Sequence, residues 1–308
     1  MNHPTLHQAI RPTAIIDAPR LAARLGVNLT IVSETFQHTG SFKFRAAYNL
    51  ASNVEQQLII TASSGNFGQA MAYACKLLGK SCVIVMPQTS AQVKIDAVRE
   101  YGGTVDLIDV RVKGRAERVA ELAVEHPEAY IASAYDDPLV IDGNASLGAE
   151  IAAMNRHFDF IIAPIGGGGL TSGIFQGLRQ AGSKTPVIAA EPLLGNDAAR
   201  SLRAGHIIAN EHEPQTIADG ARTVSVGLHN WKILQTGLAG IVEVPEENIK
   251  EGVRLLYAYA NLKSEPTGAL SIGALLTEPE RFTNRQVCCV ISGGNVDMEV
   301  YGRILADG

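Results

Sequence analysis

The stretch Thr39-Gly40-Ser41-Phe42-Lys43-Phe44-Arg45 places one lysine between two phenylalanines, behind a Gly-Ser turn. Apolar neighbours strip water from an amine, and desolvation disfavours its ammonium form. The free amine that results is a nucleophile toward aldehydes. The same residues also read as an amphipathic helix start, with Ser41 as N-cap and Lys43 snorkelling to water. Three further stretches bear on the choice.

Ala62-Ser63-Ser64-Gly65-Asn66-Phe67-Gly68-Gln69 gathers two hydroxyls, an amide and free backbone N–H groups just before a helical pattern. A helix N-terminus furnished in this way suits a carboxylate, or is only an elaborate cap. Pro164-Ile165-Gly166-Gly167-Gly168-Gly169-Leu170 precedes another helical run, Thr171–Ala181. Four glycines let the backbone turn sharply and aim successive N–H groups at one point. A single phosphate suits this loop better than a dinucleotide, because Thr171 and Ser172 stand where the last glycine of Gly-x-Gly-x-x-Gly is needed. Ser292-Gly293-Gly294-Asn295 sets a hydroxyl before two glycines, so that the hydroxyl can approach a flat ligand, or the four residues make a tight turn. Lastly, Glu191-Pro192-Leu193-Leu194-Gly195-Asn196-Asp197 spaces two carboxylates across a glycine-containing turn. Glu191 and Asp197 could reach one hard cation with a backbone carbonyl and waters. Asn196 or Asp197 as the cap of a helix is the alternative.

These groups need a scaffold. Short apolar runs rich in β-branched residues recur at Leu29–Val32, Leu58–Thr61, Cys82–Met86, Val105–Ile108, Phe160–Ala163, Val187–Ala190, Ile241–Val244 and Val287–Ile291. Helical patterns such as Gly68–Leu78, Ala91–Tyr101, Arg115–Glu125 and Glu246–Asn261 separate them. Continuously apolar strands alternating with helices predict an α/β fold built on buried, mostly parallel sheet. Ligands of such sheets bind beyond the carboxyl ends of the strands. Three of the four stretches singled out for cofactor and substrate directly follow an expected strand.

The chain of 308 residues is 46% hydrophobic, which supplies a sizeable core for one large or two modest domains. A net charge of −5 and the lack of a basic run argue against a nucleic-acid partner. No apolar stretch reaches membrane-spanning length, and Met1-Asn2-His3-Pro4 does not begin a signal peptide. Cys75, Cys82, Cys288 and Cys289 lie in apolar segments and read as reduced core thiols, with a cytoplasmic location expected.

A lysine amine, a phosphate loop, a carboxylate-binding turn and a strand-end serine together match the parts of pyridoxal 5'-phosphate. Over nearly its whole length the chain resembles the threonine/serine dehydratase and serine racemase branch of the fold-type-II pyridoxal phosphate enzymes, whose fold is tryptophan synthase β-like. The resemblance rests on Thr39–Arg45, Ser63–Gln69, Gly166–Leu170, Thr216–Gly220, Ser264–Ala269 and Ser292–Asp297. It implies that Lys43 carries the cofactor with Phe42 beside the ring. It also implies that Asn66 bonds the ring hydroxyl, Gly166, Gly167, Gly168, Gly169 and Leu170 hold the phosphate, and Ser292 meets the ring nitrogen. Ser63, Ser64 and Asn66 would surround the substrate carboxylate. Mg²⁺ or Ca²⁺ would bind at Glu191, Gly195 and Asp197.

The implied organisation is a large cofactor domain of residues 1–57 and 145–308, with a small mobile domain of residues 58–144. The implied activity is dehydration and deamination of a small hydroxyamino acid such as L-serine or L-threonine, with Lys43 as the base. Racemisation, with Ser64 as a second proton carrier, is the alternative. A homodimer or larger homo-oligomer is expected. The chain ends at Gly308, soon after the last motif, so a C-terminal regulatory domain is not expected. Phe67 and Asn144 depart from the commoner family pattern and are expected near the substrate.

Overall fold

The computed structural model describes residues 3–63, 65–90 and 92–307. Each expected strand forms, with bounds within two residues of those read from the sequence. Two short strands are added, giving β1 (Ala14–Ile16), β2 (Asn28–Ser33), β3 (Leu58–Ala62), β4 (Ser81–Pro87) and β5 (Thr104–Ile108). The remainder are β6 (Tyr130–Ala132), β7 (Phe160–Pro164), β8 (Val187–Pro192), β9 (Ile241–Val244) and β10 (Gln286–Ile291).

Two sheets result. One has the order β1-β2-β10-β7-β8-β9 and the other β5-β4-β3-β6. Only β1 runs antiparallel to its neighbour, and it lies at an edge. The remaining pairs are parallel. Helices cover both faces of the larger sheet, which is why its central strands read as unbroken apolar runs. All six residues of β8 are buried. In β2 and β10 only the first residue is exposed. Separate apolar clusters fill the two sides of this sheet, one around Ile188, Leu256 and Leu270 and the other around Ile161, Leu147 and Ile174.

Parallel pairing also sets the strand ends in register. Ile291 at the end of β10 pairs with Ser33 at the end of β2, and Pro164 of β7 pairs with Ala190 of β8. The chain therefore leaves β2, β10 and β7 on the same edge. Lys43–Asn53, the helix that follows β2, has three alanines, and eight of its residues are buried. It packs into the apolar cluster of the smaller sheet with Asn66–Leu78, the helix that follows β3. Among the described residues no helix is long and apolar enough to cross a membrane. The four cysteines are free and buried.

Candidate active site

Lys43 is the first residue of its helix, and Phe42 occupies the cap position without a side-chain cap. Ser41 does not cap this helix as the plain reading expected. Its hydroxyl is buried without a partner, and its backbone bridges to Gly293. The Phe42 N–H donates to the Ser292 carbonyl at 3.0 Å. These contacts tie the residue before Lys43 directly to the end of β10. The preceding turn is held in left-handed backbone at Thr39 (φ 60) and Gly40 (φ 74). A side chain at Gly40 would also strike Asn295, whose Oδ1 lies 2.4 Å from the added Cβ.

Lys43 Nζ donates to the Ala134 carbonyl at 2.7 Å. It lies 5.1 Å from the Phe42 ring centroid and 5.5 Å from that of Phe67. Burial lowers the amine to about 8, against the opposing pull of the Glu265 charge. The departure from the family pattern at Phe67 therefore falls against the lysine itself.

The glycine loop follows β7 and runs into the helix Gly169–Gln180. Gly168 has φ 98 and caps that helix without offering a side chain. Added Cβ atoms would meet Ala221 Cα at 2.8 Å from Gly166, the Tyr135 ring at 2.2 Å from Gly167, and Asn230 Cβ at 2.8 Å from Gly168. From Gly169 an added Cβ would meet the Tyr135 carbonyl at 2.9 Å. Backbone N–H groups at an uncapped helix N-terminus form a ready anion cradle. Leu170 is buried behind the loop in the apolar cluster. Asn144 is buried and donates to the Gly169 carbonyl at 3.0 Å, so it braces the loop from behind.

Ser292 lies at the end of β10, with its hydroxyl buried and without a partner among the described residues. Asn66 begins the helix after β3, and its amide is fully engaged. Nδ2 donates to both Glu265 oxygens at 2.9 and 3.0 Å, and Oδ1 accepts from Asn295 Nδ2 at 2.9 Å. The Ser63 hydroxyl accepts from the Gly65 N–H at 3.3 Å. Ser64 lies outside the described residues.

Several residues at this centre carry no role in the sequence reading, Glu265 among them although it lies in the quoted Ser264–Ala269 stretch. Glu265 is buried, and burial together with the Asp219 charge pushes its carboxyl well up. The Tyr135 ring covers Gly167. Asn230 Nδ2 donates to the carbonyls of Tyr135 and Gly167, both at 2.9 Å. The Asp136 carboxylate accepts from the N–H groups of Leu228 and His229. The sequence signal that could have found Tyr135 and Asp136 is their place between a strand and the Asp137-Pro138 helix start.

The expected cation site comes out differently. Glu191 caps the helix Asp197–Ala204, accepting from the N–H groups of Ala198 and Ala199 at 2.8 Å each. Neither Asn196 nor Asp197 provides that cap. Asp197 accepts from Asn210 at 3.0 Å and from the Val226 N–H at 2.7 Å. Burial and their mutual repulsion raise Glu191, and burial pushes Asp197 up to about 7. All four oxygens thus meet protein donors. Among the described residues no group of three or more His, Cys, Asp or Glu side chains converges as metal ligands. The expectation of Mg²⁺ or Ca²⁺ at Glu191, Gly195 and Asp197 has no support here.

A buried amine, a cradle that any Cβ would fill and an orphaned strand-end hydroxyl fit an aldehyde, a phosphate and a ring nitrogen. The model of the family described as "Pyridoxal-phosphate dependent enzyme" matches residues 6–293. The chain belongs to that family. Among its relatives in the pyridoxal-phosphate family is a β-hydroxyaspartate dehydratase of Paracoccus denitrificans, 33% identical over 96% of this chain and 95% of the other. Another is the serine racemase of Mus musculus, 32% identical over 96% of this chain and 90% of the other. Among solved structures, the processed form of threonine deaminase isoform 2 from Solanum lycopersicum is similar with a TM-score of 0.90 and 31% identity, covering 98% of this chain and 89% of that one.

Proposed function

We propose that this pyridoxal-phosphate dependent enzyme eliminates water from a small β-hydroxy-α-amino acid, after which hydrolysis of the resulting enamine takes up one water and releases ammonia and a 2-oxo acid. Serine, threonine and 3-hydroxyaspartate form the candidate class, after the printed names of its relatives. The observation that carries the reading is the Ser292 hydroxyl, a neutral group buried at the end of β10 without a partner among the described residues. A serine does not hold a ring nitrogen protonated as a carboxylate would. When bound, the cofactor would supply an electron sink for charge at Cα.

In this reading Lys43 anchors the cofactor, and its amine takes the Cα proton as general base. A value near 8 leaves an appreciable free amine at neutral pH, which suits that work. Phe42 flanks the ring, the N–H groups of Gly166–Gly169 with Leu170 behind them hold the phosphate, and Ser292 meets the ring nitrogen. Ser63, Ser64 and Asn66 take the substrate carboxylate. For that, Asn66 must leave Glu265. The unit of residues 58–144 is assigned as the part that closes over the substrate. Its polar ties to segments beyond residue 144 support this assignment, namely Asn66 to Glu265, Lys94 to Asp219 at 2.7 Å and Arg115 to Glu213 at 2.7 Å.

The relatives named serine racemase favour a second reading, in which Ser64 protonates Cα from the face opposite Lys43. One experiment addresses both readings. Holoenzyme is incubated with L- and D-serine, L-threonine and threo-3-hydroxyaspartate, with ammonia and enantiomer composition measured for the parent, Lys43→Ala and Ser64→Ala. Ammonia from at least one L-substrate, abolished in Lys43→Ala, is expected. Interconversion of enantiomers lost in Ser64→Ala, with L-elimination kept, would move the assignment to a racemase. Cofactor-loaded parent that releases no ammonia and interconverts nothing would overturn the proposal.

A further inference from the structure

Directly behind the lysine lies a polar network that anchoring and proton transfer do not use. Arg45 is fully buried, and Glu34 beside it is equally so. Arg45 Nε and Nη2 donate to the two oxygens of Glu34 at 2.8 and 2.9 Å. Its Nη1 donates to Glu150 at 2.6 Å and to the Ser146 hydroxyl at 3.0 Å. Glu150 in turn accepts from the Thr13 N–H at 2.7 Å.

Helix stability does not explain this arginine. A cation in the first turn of a helix opposes the positive end of the helix dipole. Nor is a buried ion pair a strong stabiliser, since apolar side chains of similar shape often do as well or better. What the pair does supply is direction. A guanidinium is a rigid fork whose donors fix orientation in a plane. Here the fork grips two separate elements. Glu34 follows β2, and its own N–H donates at 2.9 Å to the carbonyl of Ile291, the residue before Ser292. Ser146 and Glu150 lie on the helix Pro138–Ala153. Residues two apart on a helix point about 200° apart. Arg45 therefore grips the scaffold on the side away from Lys43 and fixes the rotation and depth of the turn that presents the amine.

We infer that the Arg45–Glu34 pair is a positioning device, which registers the Lys43 amine against the β10 end carrying Ser292. The inference rests on Lys43 being the working amine. Arg45 and Glu34 are positioning residues, since they act through the helix turn and touch no ligand.

The test uses Arg45→Lys, which keeps the charge but loses the fork, and the double variant Glu34→Leu/Arg45→Met, which removes both charges. Three quantities are read: the melting temperature, the midpoint pH for reductive methylation of Lys43 in cofactor-free protein by peptide mass, and kcat with KM in the holoenzyme. The double variant is expected to melt within a few degrees of the parent, as apolar replacement of a buried pair allows, and Arg45→Lys is expected to melt lower, since a lysine leaves some of the fork's acceptors unpaired. The methylation midpoint should rise by at least one pH unit as the amine loses its seat. The value of kcat should fall at least tenfold, with KM within threefold of the parent. If the double variant fails to fold, Arg45→Lys decides alone. Either folded variant with the parent's midpoint and kcat would overturn the inference, as would losses that simply follow the melting temperature. The methylation readout needs neither cofactor nor turnover. A parent that proves inactive would therefore contradict the proposed function and still leave the positioning role decided.

Discussion

Lys43 owes its chemistry to where the helix begins. Its amine is seated under Phe42 and Phe67 and donates to the Ala134 carbonyl. Burial brings it from 10.5 to about 8. The charged form is thus penalised in the folded state and not in the unfolded one. That penalty is fully present below pH 8 and is relieved as pH rises from about 8 to 10.5. Over that window the cofactor-free protein should gain up to about 3 kcal/mol of stability from this group. Methylation of Lys43 in the same protein should show a midpoint near pH 8, where an exposed lysine titrates near 10.4. Glu265→Gln removes the charge that favours the ammonium, so the midpoint should move lower. A midpoint above 10 would mean that the amine is solvated and the seat misread.

Among the elements, the tightest crossing joins the helix Pro138–Ala153 to Gly169–Gln180. Glycines make it possible. A Cβ at Gly177 would lie 2.0 Å from the Ala145 carbonyl, and one at Gly148 would lie 2.3 Å from the Ile174 carbonyl. Backbone cannot step aside as a flexible side chain can. Gly177→Ala should therefore cost about 2 kcal/mol or more. It should also weaken pyridoxal phosphate binding, because the second helix begins at the glycine loop. Gly302 lies in the helix Met298–Ala306 with nothing near its added Cβ, so Gly302→Ala should stabilise by about 0.5–1 kcal/mol. Thermal melting of both variants, with cofactor titration of the first, measures this contrast. Equal effects from the two would remove the crossing from the account.

The same glycines explain what the sequence hid at this scale. The long strands were legible because burial on both faces leaves unbroken apolar runs. The helix Pro138–Ala153 was not, since Gly143, Asn144 and Gly148 look like breakers until the partner helix is seen. Strands β1 and β6 have three residues each and only one buried position between them, so they leave almost no pattern.

At the scale of the molecule, two parallel sheets bring their strand ends to one centre. Parallel register carries Lys43, the glycine loop and Ser292 to a common edge. The glycine loop and Ser292 were legible because strand-end position is visible in a sequence, and Lys43 because two phenylalanines flank it. Tyr135 was not legible, and Glu265 and Asn295, though inside quoted stretches, carried no assigned role, because their partners are brought together only by the fold. Asn66 meets Glu265 across 199 positions of chain and Asn295 across 229. The pair Glu191 and Asp197 taught the converse, since a spacing that suggests a cation is used here to cap a helix and to hold Asn210 and the Val226 backbone.

The central claim is that Lys43 is the residue that bears the cofactor, and it is tested most directly by chemical trapping. The purified holoenzyme is reduced with borohydride, digested, and its peptides are mapped by mass, with Lys43→Ala treated in parallel. A reduced pyridoxal phosphate adduct on the peptide containing Lys43 is predicted for the parent, with none in Lys43→Ala. An adduct on a different lysine of the parent, or one that persists in a Lys43→Ala protein that still turns over, would contradict the account.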